Sequence, residues 1–143
     1  MTKTIFVNLP VGDLAASMAF YEAIGFTNEP QFTNDMAAGM FWSDAIRVML
    51  LTHDFWKGFT PKAIPDARAS AQVLLCLSCD SRAEVDAMLA GALAAGATGD
   101  PCPVQDMGFM YGRSFEDPDG HIWELAWIDP CATEHGPHAE ATA

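Results

Sequence analysis

A glutamate, an arginine and a tyrosine stand at positions near the C-terminal end of this chain where two strands can bring them together. Tyr111 and Arg113 lie in the extended stretch Phe109–Glu116, and Glu124 lies in His121–Ile128. Between them runs Asp117-Pro118-Asp119-Gly120, with the proline and terminal glycine that punctuate a hairpin. With those four residues as the loop, Glu116 opposes His121, Arg113 opposes Glu124 and Tyr111 opposes Ala126. Directly opposed residues share a face. A glutamate in a partly dry site, its charge held by an arginine, can accept a ligand donor or a proton. Glu124 is therefore the candidate catalytic group, with Arg113 and Tyr111 beside it as binding groups. A structural cross-strand ion pair is the competing reading of Arg113 and Glu124.

Other residues fit around that trio. The same strand arithmetic places Gly39, Phe41, Val48, Leu50 and Thr52 on one side of an earlier hairpin. Asn8, on the first strand, can add a hydrogen bond to a ligand or make a local backbone contact. Asn8, Phe41, Leu50, Thr52, Tyr111, Arg113 and Glu124 together form the expected binding set: one greasy wall and one polar wall, as in many small-molecule pockets. Trp42, Trp123 and Trp127 alternate away from it, towards helix-packing core. Cys76-Leu77-Ser78-Cys79 has the spacing of half a metal or redox site, but on a strand positions three apart point to opposite faces. Buried, reduced thiols are the expectation. Because a helix follows, a weak redox reading survives. His53, His121 and Glu124 would make an improvised metal site, yet His121 and Glu124 are also three apart on a strand. His135 and His138 fall in an Ala/His/Glu-rich tail and are expected to be solvated.

One pattern of elements, used twice, must position these groups. Ile5–Val11 reads as a strand, Asp13 as the N-cap of a helix with an apolar stripe at Leu14, Met18, Tyr21 and Ile24, and Gly25 as its stop. Extended segments follow over Phe26–Thr33, Met36–Trp42 and Ile46–Thr52, the last two joined by a tight turn. The second round begins with the strand Gln72–Cys79 and a capping box at Ser81 and Glu84. Val85, Met88, Leu89, Ala92 and Leu93 give a helical period that Gly96 ends, before Ala97–Val104, Phe109–Glu116 and His121–Ile128. The expected fold is α+β: two βαβββ modules, residues 3–52 and 72–128, form a cup-shaped mixed sheet with helices on its convex side. The aromatic-rich connector 53–71 reads as a lid or as a linker pinned to the body. Residues 1–130 make one domain, and 131–143 are expected to be a disordered tail.

Val11-Gly12-Asp13-Leu14-x-x-Ser17-x-x-Phe20-Tyr21-x-x-Ile24-Gly25-Phe26 resembles the opening of the vicinal-oxygen-chelate superfamily of glyoxalases, bleomycin-resistance proteins and extradiol dioxygenases. Phe115-Glu116-Asp117-Pro118-Asp119-Gly120-His121-x-Trp123-Glu124-Leu125 resembles its closing signature. The resemblance implies a divalent metal held from four strand positions, which by register are Phe6, Leu50, Leu74 and Glu124. Three of these are hydrocarbon side chains, and an ion needs several converging N, O or S donors. No metal or other cofactor is therefore expected; were a divalent cation bound, Glu124 would hold it. A shift of register would offer Asn8 and Cys76 instead, still a poor set.

Nineteen acidic and seven basic residues give a formal charge of −12. Phosphate recognition needs clustered Lys and Arg, so neither nucleic acid nor an anionic membrane is an expected partner. No apolar run approaches the ~20 residues of a bilayer span, and the N-terminus does not read as a secretory signal, so a cytoplasmic location is expected. These features point to a metal-independent protein, homodimeric as the resemblance implies, that binds a small organic molecule. Whether it is an enzyme stays open. The alternatives are a divalent-metal lyase or isomerase of the glyoxalase I type, an extradiol-type dioxygenase with an unusual ligand set, and a non-catalytic domain whose cup is filled by its own aromatics.

Overall fold

The computed structural model describes residues 2–136. Contacts divide the chain into two units, one running to Ser70 with Pro118–His121 added, the other holding Ala71–Asp117 and the chain from Ile122. The first contains β1 (Ile5–Val11), α1 (Leu14–Ala23), β2 (Thr27–Glu29), β3 (Ala37–Phe41), β4 (Ile46–Thr52) and a single-turn α2 (His53–Trp56). Its sheet has the order β1-β4-β3-β2, with β1 parallel to β4 and the other pairs antiparallel. The second contains β5 (Leu75–Cys79), α3 (Arg82–Ala94), β6 (Thr98–Gly99), β7 (Gln105–Asp106), β8 (Met110–Glu116), β9 (Ile122–Ile128) and α4 (Pro130–His135). Its sheet runs β5-β9-β8-β6, again with the outer first strand parallel, and β7 also pairs with β8. The fold is α+β, and the repeated strand–helix–strands pattern is present in both units.

The helix ends follow local chemistry. Asp13 caps α1 by accepting from the Ala16 N–H at 3.1 Å. Ser81 caps α3 by accepting from the Glu84 N–H at 3.1 Å. The Glu84 carboxylate accepts in return from the Asp80 N–H at 2.6 Å, one residue earlier than a capping box requires. Gly25 and Gly96 close the two helices at φ of 113° and 102°, a conformation costly for any side chain with a Cβ. On α1 the buried side chains are Ser17, Phe20 and Tyr21, while Leu14, Met18 and Ile24 of the expected stripe are half-buried. Phe20 and Tyr21 meet edge to face and join Met40, Val48 and Leu50 in the first core. Val85, Leu89 and Ala92 of α3 belong to the second core with Phe115, Trp123 and Leu125.

Several expected strands are shorter than the sequence suggested. Proline at the first turn takes Pro30–Phe32 into a 3₁₀ helix, ending β2 at Glu29. Pro101 and Pro103 cannot donate to a ladder, so Ala97–Val104 reduces to the pair Thr98–Gly99. Pairing of β5 with β9 starts at Leu75–Trp123, which leaves Gln72–Leu74 outside the sheet. The segment from Cys131, expected to lack structure, begins as helix α4: Asp129 accepts from the Cys131 N–H at 2.8 Å and Pro130 occupies the first turn. His135 lies in this helix, whereas His138 is outside the described residues. Among the described residues no helix is long and apolar enough to cross a membrane.

Candidate functional site

Each sheet has one face under its helix and one that is less covered, and the ladders decide which residues share the latter. The β8–β9 hairpin pairs Glu116 with Ile122, Ser114 with Glu124, Arg113 with Leu125 and Tyr111 with Trp127. Its loop is thus Asp117–His121, five residues rather than the expected four. One extra residue moves every partner to the opposite face. Arg113 and Tyr111 accordingly lie on the helix side, away from Glu124, and the Arg113–Glu124 pairing is overturned. The Arg113 guanidinium instead grips Asp100 through two bonds, at 2.9 and 2.5 Å. It also donates to the Tyr111 hydroxyl at 3.3 Å and stands 3.5 Å from Asp86 of α3. The Tyr111 hydroxyl in turn donates to Asp86 at 2.6 Å. This pairing holds the Asp100 carboxyl below its ordinary range, chiefly through the hydrogen bonds from Arg113, and raises the Arg113 pKa further.

The extra loop residue has a tertiary origin within the first unit. Asp119 accepts from the Gly12 N–H at 2.8 Å, and His121 Nε2 lies 2.8 Å from the Pro10 carbonyl oxygen. Arg68 bonds the Pro118 carbonyl oxygen. Gly120 sits at φ 97°, where a Cβ would meet the Ala67 and Arg68 backbone at 3.0 Å. His121 is therefore spent on a structural contact.

On the less covered face of the second sheet, Cys76 is the β5 partner of Glu124, and Ser114 is its β8 partner. A pocket of about 90 Å³ opens here, lined among others by Cys76, Gln105, Met110, Gly112, Ser114 and Glu124. Drug-sized ligand pockets begin near ~300 Å³, so this hollow by itself is too small for such a ligand. The Ser114 hydroxyl is committed to the Cys102 backbone, accepting from its N–H at 3.1 Å. Burial and the neighbouring Glu124 carboxylate both raise the Cys76 thiol pKa. Cys79 points to the other face, buried with its sulfur 3.6 Å from that of Met88, and burial first of all pushes its pKa to about 11. Among the described residues no cysteine forms a disulfide, and Cys76 is exposed.

In the first sheet the β3–β4 ladder pairs Phe41 with Arg47, Gly39 with Met49, and Met40 with Val48. Phe41 and Gly39 therefore do not share a face with Val48 and Leu50, as expected, but with Arg47 and Met49. Val48 and Leu50 are wholly buried in the core. Thr52 is spent on capping α2, accepting from the Phe55 N–H at 3.3 Å. Asn8 pairs with Met49 on the less covered face and is exposed. That face also carries a group the sequence reading missed. The Arg47 guanidinium lies 5.3 Å from the Phe6 ring centroid and 4.6 Å from that of Phe41. Phe32 completes the cluster, 6.4 Å from Phe6 and 5.7 Å from Phe41. A strand glycine makes this possible, since a Cβ on Gly39 would meet the Phe32 Cβ at 2.9 Å.

Trp42 packs on Phe26 at the end of α1 and Trp123 is buried, as expected of core residues. Trp127 holds Arg82 of α3 over its ring at 5.3 Å. In the connector, α2 contacts β4 and β1, and Phe55 meets Phe59 edge to face at 5.2 Å. These contacts match a linker pinned to the body. Beyond α2 an open groove of about 710 Å³ is lined by His53, Lys57, Thr60, Lys62 and Asp66 among others.

Two such units, each a sheet with one helix-covered face, define a βαβββ-repeat protein. The model of the Glyoxalase/Bleomycin resistance protein/Dioxygenase superfamily matches residues 5–125, and the chain belongs to that superfamily. Among solved structures, the hypothetical protein SA1046 from S. aureus is 26% identical with a TM-score of 0.74, over 90% of this chain and 95% of that one. A glyoxalase-related enzyme from Fulvimarina pelagi is 23% identical with a TM-score of 0.74, over 92% of this chain and 91% of its own. TnmS3, an antibiotic binding protein from Streptomyces sp. CB03234, is 19% identical with a TM-score of 0.64, over 90% and 98%. No curated protein matches the chain by sequence.

Of the four positions the resemblance implied for a metal, Leu50 is in the core and Leu74 precedes β5, half exposed. The strand pairs actually presented on the less covered faces are Asn8 with Met49 and Cys76 with Glu124. Among the described residues no three His, Cys, Asp or Glu side chains gather closely enough to hold an ion. These residues do not fit the divalent metal of the family's enzymes.

Proposed function

We propose that this chain is a metal-independent binding protein for a small organic molecule, acting as a homodimer in the cytoplasm. One observation carries the reading: the open strand pairs offer an amide, a thioether, a thiol and a single carboxylate where a chelating protein needs converging donors. Those faces remain suited to a ligand. One is aromatic, around Phe6, Phe32 and Phe41; the other is polar, around Glu124 and Cys76. In this reading Asn8 and Phe41 are the ligand-facing groups of the first unit's sheet and Glu124 that of the second, and Tyr111, Arg113, Leu50 and Thr52 support the scaffold. The formal charge of −12 disfavours nucleic acid and anionic membranes. TnmS3 binds an antibiotic on this fold, which is compatible with such a role. Exposed Ile5, Val73, Leu74 and Ile128 supply apolar surface for a second subunit.

Elemental analysis of purified protein, paired with light scattering, is the direct test. The expected outcome is a dimer without stoichiometric metal, whose melting temperature is unmoved by a chelator. Stoichiometric zinc, nickel, iron or manganese that disappears in Glu124→Gln would sink the proposal in favour of a metal-dependent lyase, isomerase or dioxygenase.

A further inference from the structure

We infer that Arg47 and the rings around it form an anion-reading subsite, which makes the ligand a planar aromatic carrying a carboxylate or sulfonate. The inference rests on the small-molecule reading above and names the ligand's chemistry. Arg47 is flanked by Phe6 and Phe41, with centroids 5.3 and 4.6 Å from its guanidinium carbon. The two rings stand nearly edge to face, at 83° to one another, so the cation is held over both ring faces and its terminal N–H groups are the recognition surface. Its Nε donates to the Asp44 carbonyl oxygen at 2.8 Å, which fixes the plane of the fork. The two terminal nitrogens make no ion pair with any carboxylate among the described residues. Arg82 and Arg113, by contrast, each hold an aspartate.

In a chain with nineteen acidic residues, a guanidinium without an ion pair among the described residues keeps its charge open to an external anion. The overall charge does not forbid it, because salt confines each exposed charge to about 8 Å at physiological ionic strength. Beside the cation, Phe6 and Phe32 are 45% and 43% exposed, so ring faces stand open within reach of the same ligand. A bidentate anion bonded to Arg47, with its ring against Phe6 and Phe32, uses both features at once.

The test uses two fluorescent probes of one ring system: 8-anilinonaphthalene-1-sulfonate, an anion, and N-phenyl-1-naphthylamine, which is neutral. The full chain should bind the sulfonate more tightly, at one per chain. Arg47→Met should weaken the sulfonate about tenfold or more, as loss of a charge-assisted bond does, and leave the neutral probe unchanged. Arg47→Lys, which keeps charge but not the planar fork, should fall between. Equal affinity for both probes, or sulfonate binding indifferent to Arg47→Met, overturns the inference while the small-molecule reading stands. If neither probe binds, both readings fall together. A change of oligomeric state in Arg47→Met would assign the face to a subunit contact and overturn the inference as well.

Discussion

The two units share strand order and helix placement, yet each keeps its arginine chemistry on a different face. In the second, Arg113 lies on the helix side of β8 and is consumed by Asp100, Tyr111 and Asp86. In the first, Arg47 lies on the opposite kind of face, packed over Phe6 and Phe41 and joined to no carboxylate among the described residues. The same residue type is thus structural in one copy of the pattern and available in the other. Strand parity decides between them. The comparison teaches that, in a repeated βαβββ unit, the side of the strand that receives a charge decides whether it is consumed inside the scaffold or left without an ionic partner.

The largest effects test which residues are scaffold. Leu50→Ala and Leu125→Ala each empty a fully buried position beneath a helix and should cost about 3 kcal/mol of unfolding free energy. Probe affinity per folded molecule should stay unchanged, measured by denaturant melts beside fluorescence titration. A Leu50→Ala variant of normal stability that loses the ligand would return Leu50 to the binding set. Arg113→Met comes next. It strands Asp100 and Asp86, and with side chains 26% and 30% exposed on the closest pair it should cost about 1–2 kcal/mol, again without touching binding. Arg47→Met should do the reverse, and a matching pair of phenotypes would erase the contrast between the units.

How far this division was legible follows from the same residues. Ile5–Val11 and Ile46–Thr52 could be read to the residue because alternation, glycine stops and a tight turn are local signals. Sides could not be read as well, because the loop Asp117–His121 owes its fifth residue to contacts with Gly12, Pro10, Ala67 and Arg68, far away in sequence. That one residue misplaced Tyr111 and Arg113. Phe41, Asn8 and Glu124 were brought to the less covered faces, but Leu50 was not. Arg47 was not singled out at all; its only signal was the aromatic at Phe41, which the ladder makes its direct partner. Thr52 could have been recognised from the Thr-His-Asp-Phe run, a capping hydroxyl before a short helix.

Acid should separate the units more gently. Asp100 and Asp106 are both held below the ordinary value of 3.8, Asp106 at about 2, each chiefly by hydrogen bonds from an arginine. A depressed carboxyl contributes stability that is fully present above its unfolded value and is lost as pH falls through the folded one. Melting temperature should therefore hold down to about pH 4 and then decline towards pH 2. The decline should be shallower in Arg113→Met, which has already lost the Asp100 contribution. An equal slope in both would mean that the acid sensitivity lies outside the second unit's network.

The smallest effect reads the Cys76–Glu124 pair. Cys76 is exposed, its thiol raised by partial desolvation and by the carboxylate, whereas Cys79 is buried with its pKa near 11. At pH 8 a maleimide or disulfide reagent should modify Cys76 in the folded protein and spare Cys79 until denaturant is added. Glu124→Gln removes a negative neighbour and so increases the thiolate fraction of Cys76, speeding its reaction severalfold and leaving Cys79 unaffected. The rate thus reports whether these two side chains share a face in solution. A Cys76 rate indifferent to Glu124→Gln would break the β5–β9 register, and with it the polar wall that distinguishes the second sheet from the aromatic first.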